Sequence, residues 1–175
     1  TTRIGYVSPT LTLADGSKIP SPAAEAGLQV GDTITAIDGH KVGDWMEVVQ
    51  TIVTGAGRTA TGQPKTVFTI DRDGHSLTLS LYPRLSGDEQ FRQFGISSGY
   101  ELSVYAVTAG SLAAKAGFLT DDELVSLNGV RVLSANTYQD IMARADTAPV
   151  TAIVKRAGKD LTLTIPPLPK THTDE

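Results

Sequence analysis

Ser21-Pro22-Ala23-Ala24-Glu25-Ala26-Gly27-Leu28 returns as Ser111-Leu112-Ala113-Ala114-Lys115-Ala116-Gly117-Phe118, ninety residues later and without a gap. Asp32 then falls on Asp122, Gly39 on Gly129 and Val42 on Val132 at the same offset. Farther along, Gly74-His75-Ser76-Leu77-Thr78-Leu79 matches Gly158-Lys159-Asp160-Leu161-Thr162-Leu163 at an offset of 84, so the first copy holds extra residues within 55–65, a Gly/Thr-rich stretch of loop composition. A period of this length marks one small fold used twice.

Each shared residue has a physical task. Ser21 and Ser111 are N-caps whose hydroxyls accept from a first-turn amide. Pro22 sits at the first helical position, where a missing N–H costs nothing. Gly27 and Gly117 stand where a short helix ends in a left-handed residue. Strands follow at Thr33 to Ile37 and Glu123 to Leu127, and Asp38-Gly39 and Asn128-Gly129 reverse the chain after them. Asp44 caps a second helix that reaches about Val53, with Trp45, Val48, Val49 and Ile52 on one side. Ser134 caps its counterpart, with Tyr138, Ile141 and Met142 on the matching face. Each copy closes on a hairpin, Val67 to Arg72 with Ser76 to Leu81, and Ala152 to Lys155 with Leu161 to Ile165. The expected unit is an α+β fold of strand, short helix, strand, turn, longer helix and hairpin.

Composition narrows the function. The 175 residues suit two small modules, and a formal net charge of −4 without a basic block argues against a nucleic-acid or anionic-membrane surface. Absence of cysteine removes disulfides and thiolate metal sites. No apolar run approaches the roughly 20 residues that span a bilayer, and no signal peptide is visible, so the reading is a soluble, mature or excised fragment.

The run from Ser21 to Gly39, SPAAEAGLQVGDTITAIDG, followed by a helix and a hairpin, resembles the bacterial, circularly permuted form of the PDZ domain. The second copy departs from that pattern at Asp121, where Gly is usual, and at Asn128, where Asp is usual; both are turn formers. The resemblance implies two such domains in tandem, each a small partly open β-barrel with one short and one longer helix, over residues 1–86 and 87–169, with a polar tail at 170–175. It also implies peptide binding as an added strand beside the longer helix, with a loop of X-Φ-Gly-Φ pattern offering amides to a C-terminal carboxylate. Gln93-Phe94-Gly95-Ile96 fits that loop in the second copy, with Ile96 and Ser98 facing Tyr138, Ile141 and Met142. In the first copy Ile4, Gly5 and Tyr6 fit it, with Val49 and Ile52 on the helix. Alternatively, residues 3–8 match the later strand 103–108, and Pro9 to Pro20 is an insertion.

Two bacterial families carry such pairs, the site-2 intramembrane zinc metalloproteases of the RseP type and the HtrA-type periplasmic serine proteases. Asp44-Trp45 opening the longer helix, the junction Leu81 to Leu85 and the Pro166-Pro167-Leu168-Pro169 exit are more similar to the first. That resemblance implies a region on the extracytoplasmic, periplasmic face of the inner membrane, a soluble part of a membrane protein, that regulates substrate access during regulated intramembrane proteolysis. Its partners would be hydrophobic C-terminal peptides or membrane-protein substrates and the rest of the parent protease. Zinc is implied in the parent and no cofactor in this chain, since His40, His75 and His172 stand without a Glu-x-x-His pattern. Gly95-Ile96-Ser97-Ser98-Gly99 matches G-x-S-x-G only literally, because the elbow needs a helix after its serine and a strand is expected here. No catalytic residue is therefore assigned.

Overall fold

A computed structural model describes residues 1–87, 89–145 and 148–167. The expected tail at 170–175, the end of the second module at 169 and His172 lie outside them. The chain divides into two compact units between Gly99 and Tyr100, thirteen residues later than the sequence suggested. The hydrogen bonds explain the place of the cut: the Gly99 amide donates to the Arg3 carbonyl at 2.7 Å, and the Tyr100 amide to the Leu133 carbonyl at 2.9 Å.

In the first unit β1 (Ile4–Val7) leads to a hairpin of β2 (Thr10–Thr12) and β3 (Lys18–Pro20), then to helix α1 (Pro22–Ala26). β4 (Thr33–Ile37), β5 (His40–Lys41), helix α2 (Trp45–Thr54), β6 (Thr66–Arg72) and β7 (His75–Leu81) follow, and the four strands order as β5-β4-β6-β7. β8 (Arg84–Ser86) and β9 (Phe91–Gln93) pair with each other, and β10 (Ile96–Ser98) returns antiparallel to β1. The second unit holds β11 (Leu102–Ser103), helix α3 (Leu112–Ala116), β12 (Glu123–Leu127), β13 (Val130–Arg131), helix α4 (Ala135–Arg144), β14 (Val150–Arg156) and β15 (Lys159–Ile165). Its sheet runs β11-β12-β14-β15, with β13 on β12. The architecture is α+β, mostly strand, and its sheets are not closed into barrels.

Local chemistry explains why the copies agree. Ser21 Oγ accepts from the Ala24 amide at 3.0 Å and Ser111 Oγ from the Ala114 amide at 3.1 Å. Asp44 and Ser134 cap the longer helices through the Glu47 and Thr137 amides. Gly27 and Gly117, at φ 83° and 97°, close the short helices in the left-handed region that L side chains avoid. Asp38 Oδ1 accepts from the Val67 amide and Asn128 Oδ1 from the Thr151 amide, so the Asp-to-Asn departure is neutral: the position needs only an acceptor.

Each unit has its own apolar core. In the first, Ile4, Ile34, Ile37, Val48, Phe68, Ile70, Leu81 and Phe94 are buried together; in the second, Phe118, Leu124, Leu127, Val132, Val150, Ala152 and Val154. One buried polar device recurs. The Arg72 guanidinium grips both oxygens of Asp32 at 2.8 Å and the Gly27 carbonyl, and Arg156 does the same to Asp122 at 2.7 Å and the Gly117 carbonyl. It ties the end of the short helix to the hairpin.

Candidate functional site

The segment Phe91 to Ser98 decides where a site can lie, and it belongs to the first unit. Phe94 is 4% exposed, and its ring meets Phe68 at a centroid distance of 5.3 Å. The Phe94 carbonyl accepts from the Ala23 amide at 3.0 Å, and the Gly95 carbonyl from the Ser8 amide at 2.8 Å. Gly95 has φ 83°, and a Cβ there would lie 2.8 Å from that of Ser21, so only glycine lets the loop rest on α1. With both carbonyls turned inward, the Phe94 and Gly95 amides have no protein acceptor among the described residues.

This corrects the expected second-copy site. Gln93, Phe94, Gly95, Ile96 and Ser98 lie in the first unit, whereas Tyr138, Ile141 and Met142 lie on α4 in the second. They do not share one module, because β10 pairs with β1 and Phe94 completes the first core. Ile4, Gly5 and Tyr6 are not a loop. They form β1, with Ile4 and Gly5 buried, and the bridge Arg3 to Thr33 mirrors the pairing of Ser103 with Glu123. Of the two readings of residues 3–8, the strand is therefore the one observed, and the insertion is the β2–β3 hairpin.

The first unit nonetheless assembles a constellation from these residues. Ile96 of β10 packs on the same core as Trp45, Val48 and Ile52 of α2, while Val49 remains 42% exposed on that helix. Among the described residues β10 pairs only with β1, so its other edge is unpaired. In the second unit Tyr138 and Met142 line an apolar cavity of about 440 Å³. Ile141 lines a separate hollow of about 210 Å³ with Asn128 and Val150.

Sequence reasoning missed Arg92. Its guanidinium donates to the Lys65 and Gly57 carbonyls and to Thr66 Oγ1 at 2.8–3.1 Å, fastening β9 to the loop that follows α2. Burial holds its pKa below the usual value; Asp38 offsets part of this and Arg58 adds to it. A basic residue two positions before Phe94-Gly95 was the available signal, but its acceptors are backbone carbonyls, which no residue pattern displays. Arg72 and Arg156 were missed although they repeat at the 84-residue offset.

Among the described residues, no three His, Asp or Glu side chains gather where a metal ion could be held. No described helix is long and apolar enough to cross a membrane.

Comparison with known proteins agrees with the two-copy architecture. The family model described as PDZ domain matches residues 19–61 and 103–156, more than half the chain. A protein of Treponema pallidum named "Putative zinc metalloprotease" is 27% identical over 139 residues, covering 79% of this chain and 30% of that protein. One of Neisseria meningitidis, likewise named, is 29% identical over 154 residues, covering 83% and 33%. A third, of Mesorhizobium japonicum, is 38% identical over 65 residues, covering 37% and 16%. The chain spans about a third of the length of the first two relatives.

Proposed function

This chain belongs to the PDZ domain family, and we propose that its first module captures the hydrophobic C-terminus of a peptide between β10 and α2. The observation that carries this is the Gln93-Phe94-Gly95-Ile96 loop, whose Phe94 and Gly95 carbonyls accept from Ala23 and Ser8 while the Phe94 and Gly95 amides have no backbone acceptor among the described residues, at the end of an unpaired strand edge. Adjacent backbone amides are a concave anion site, and a free strand edge supplies the ladder for an added antiparallel strand. Val49, Ile52 and Ile96 supply the apolar wall for the terminal side chain.

The relatives' names support a parent that is a zinc metalloprotease rather than a serine protease. In that parent, a site-2 intramembrane protease, the two modules lie on the extracytoplasmic face of the inner membrane as a water-facing part. They regulate access to a zinc centre built elsewhere in the chain, excluding substrates that still carry a bulky domain. Partners are the protease body and membrane-protein substrates with newly exposed apolar C-termini.

The test is titration with a hydrophobic C-terminal peptide followed by backbone NMR. Saturable shifts at Gln93 to Ser98 and Val49 to Val53, abolished by amidating the peptide C-terminus, are the expected result. Shifts indifferent to amidation, or none at millimolar peptide, refute carboxylate capture and leave the steric role alone.

A further inference from the structure

The first module carries two stretches that the second lacks. Ile4 and Val104 hold the same place, each donating its amide to an aspartate carbonyl, Asp32 or Asp122. Yet Ile4 precedes Ser21 by 17 residues, whereas Val104 precedes Ser111 by 7. The difference is the β2–β3 hairpin. The second stretch is the loop within 55–65, where the offset between the copies falls from 90 to 84. Far apart in sequence, the two converge on one hollow of about 760 Å³, lined by Leu13 and Ala14 from the hairpin and by Gln63 and Pro64 from the loop. Tyr82, Pro83 and Leu85, from the segment that follows β7, complete its apolar wall. Its volume lies within the roughly 300–1,000 Å³ of ligand sites.

Both stretches are held in shape by their own hydrogen bonds. Asp15 Oδ1 accepts from the Ser17 amide and hydroxyl at the tip of the hairpin, and Arg58 donates to the Gly62 carbonyl across the loop. A wall fixed in advance spares a ligand the cost of ordering it. Among the described residues Arg84 is the one charged group that lines the hollow. The side chains of Arg84, Gln63 and Gln93, all at its surface, make no hydrogen bond among those residues. β2 pairs only with β3 and β8 only with β9, so each strand keeps an unpaired edge. Thr12 of β2 and Arg84 to Ser86 of β8 both line the hollow.

We propose that this hollow is a second binding site of the first module, taking an extended peptide segment of a partner protein in which a carboxylate side chain stands among apolar ones. Arg84 offers a forked cation to the carboxylate. Leu13, Tyr82 and Pro83 receive the apolar side chains, and the Gln63 and Gln93 amides meet the peptide main chain. An unpaired strand edge adds a main-chain ladder, which a peptide can use and a small anion cannot. The site is separate from the groove beside α2: Val49, Ile52 and Ile96 do not line it, and it needs no C-terminal carboxylate. It therefore stands or falls independently of carboxylate capture by the first module.

The probe is the blocked peptide acetyl-Thr-Phe-Asp-Val-Thr-amide, titrated into the 175-residue chain and followed by backbone NMR. Expected are saturable shifts at Leu13, Ala14, Gln63, Leu85 and Gln93, with Val49 and Ile52 unmoved. Arg84 is exposed, so Arg84→Glu keeps the fold and weakens binding about tenfold. A probe with lysine in place of its aspartate regains affinity on that variant. Ala14→Trp, at an exposed position, fills the hollow and abolishes the shifts while the β4 and β6 resonances stay in place. Shifts confined to residues 49–53 overturn the inference, as do binding indifferent to Arg84→Glu and the absence of shifts at millimolar probe. Octanoate has the carboxylate and an apolar tail but no peptide main chain, and is expected to compete poorly. Equal affinity for octanoate would make the hollow a site for a free amphiphile and overturn the peptide assignment.

Discussion

Replacing Phe94 by alanine takes a ring that is 96% removed from solvent out of the core of the first module. A phenylalanine buries about 150–250 Å², which at roughly 25 cal/mol per Å² gives about 4–6 kcal/mol as an upper bound. Alanine retains part of that area, whereas the lost contact with Phe68 adds about 0.5–1.5 kcal/mol. The net falls in the range of about 3–5 kcal/mol found for buried phenylalanine truncations. For a module of this size that lowers the melting temperature by roughly 12–40 °C, since each kcal/mol is worth about 4–8 °C. Hydrogen exchange resolved by residue is the assay of choice, because it reports the two modules separately. Protection should fall in β6 and β7 and stay unchanged in β14 and β15. Loss of protection in β14 and β15 instead would mean that residues 87–99 belong to the second module, and the division at Gly99 would be wrong.

Three further substitutions test the same geometry. Asp122→Asn removes one charge of a pair whose carboxylate is 1% and guanidinium 32% exposed; because Arg156 can still reach water, the cost should be about 1.5–3 kcal/mol, less than for a fully buried pair, as read from the second transition in urea. The Arg156 hydrogen bond, chiefly, and the Leu119 amide hold the Asp122 carboxyl below the usual carboxylate value against the opposing effect of burial. A depressed native pKa stabilises above the unfolded value, so this contribution is complete above about pH 5 and lost progressively as pH falls below ~3.9 and through the lower native value; Asp122→Asn should flatten the acid limb of the second module's stability curve. Ala157 takes φ 50° at the turn where Asp38, Asp73 and Asn128 stand in the other hairpins, so Ala157→Asn should stabilise the second module by about 0.5–1 kcal/mol and raise its melting temperature by roughly 2–8 °C, measured calorimetrically. Gly95→Ala adds a left-handed penalty of about 1–2 kcal/mol to the contact with Ser21 and should expose Phe94, visible as faster exchange of the Ala23 amide.

What the sequence determined by itself is whatever depends on a few neighbouring residues. The caps at Ser21, Asp44, Ser111 and Ser134, the left-handed glycines, the Asp-Gly and Asn-Gly turns and the two hairpins all formed where their patterns stood, within one or two residues. The repeat then made the two-module architecture legible without any distance information. Only tertiary structure decided which module owns residues 91–98, because a strand edge can pair with any complementary edge and the pairing partner of β10 lies some ninety residues away in β1. The same reason left residues 3–8 open between loop and strand and placed the X-Φ-Gly-Φ loop in one module and Tyr138 and Met142 in the other. It also concealed the roles of Arg72, Arg92 and Arg156, whose acceptors are assembled by the fold: an aspartate 34 or 40 residues distant, or bare backbone carbonyls that any sequence could supply.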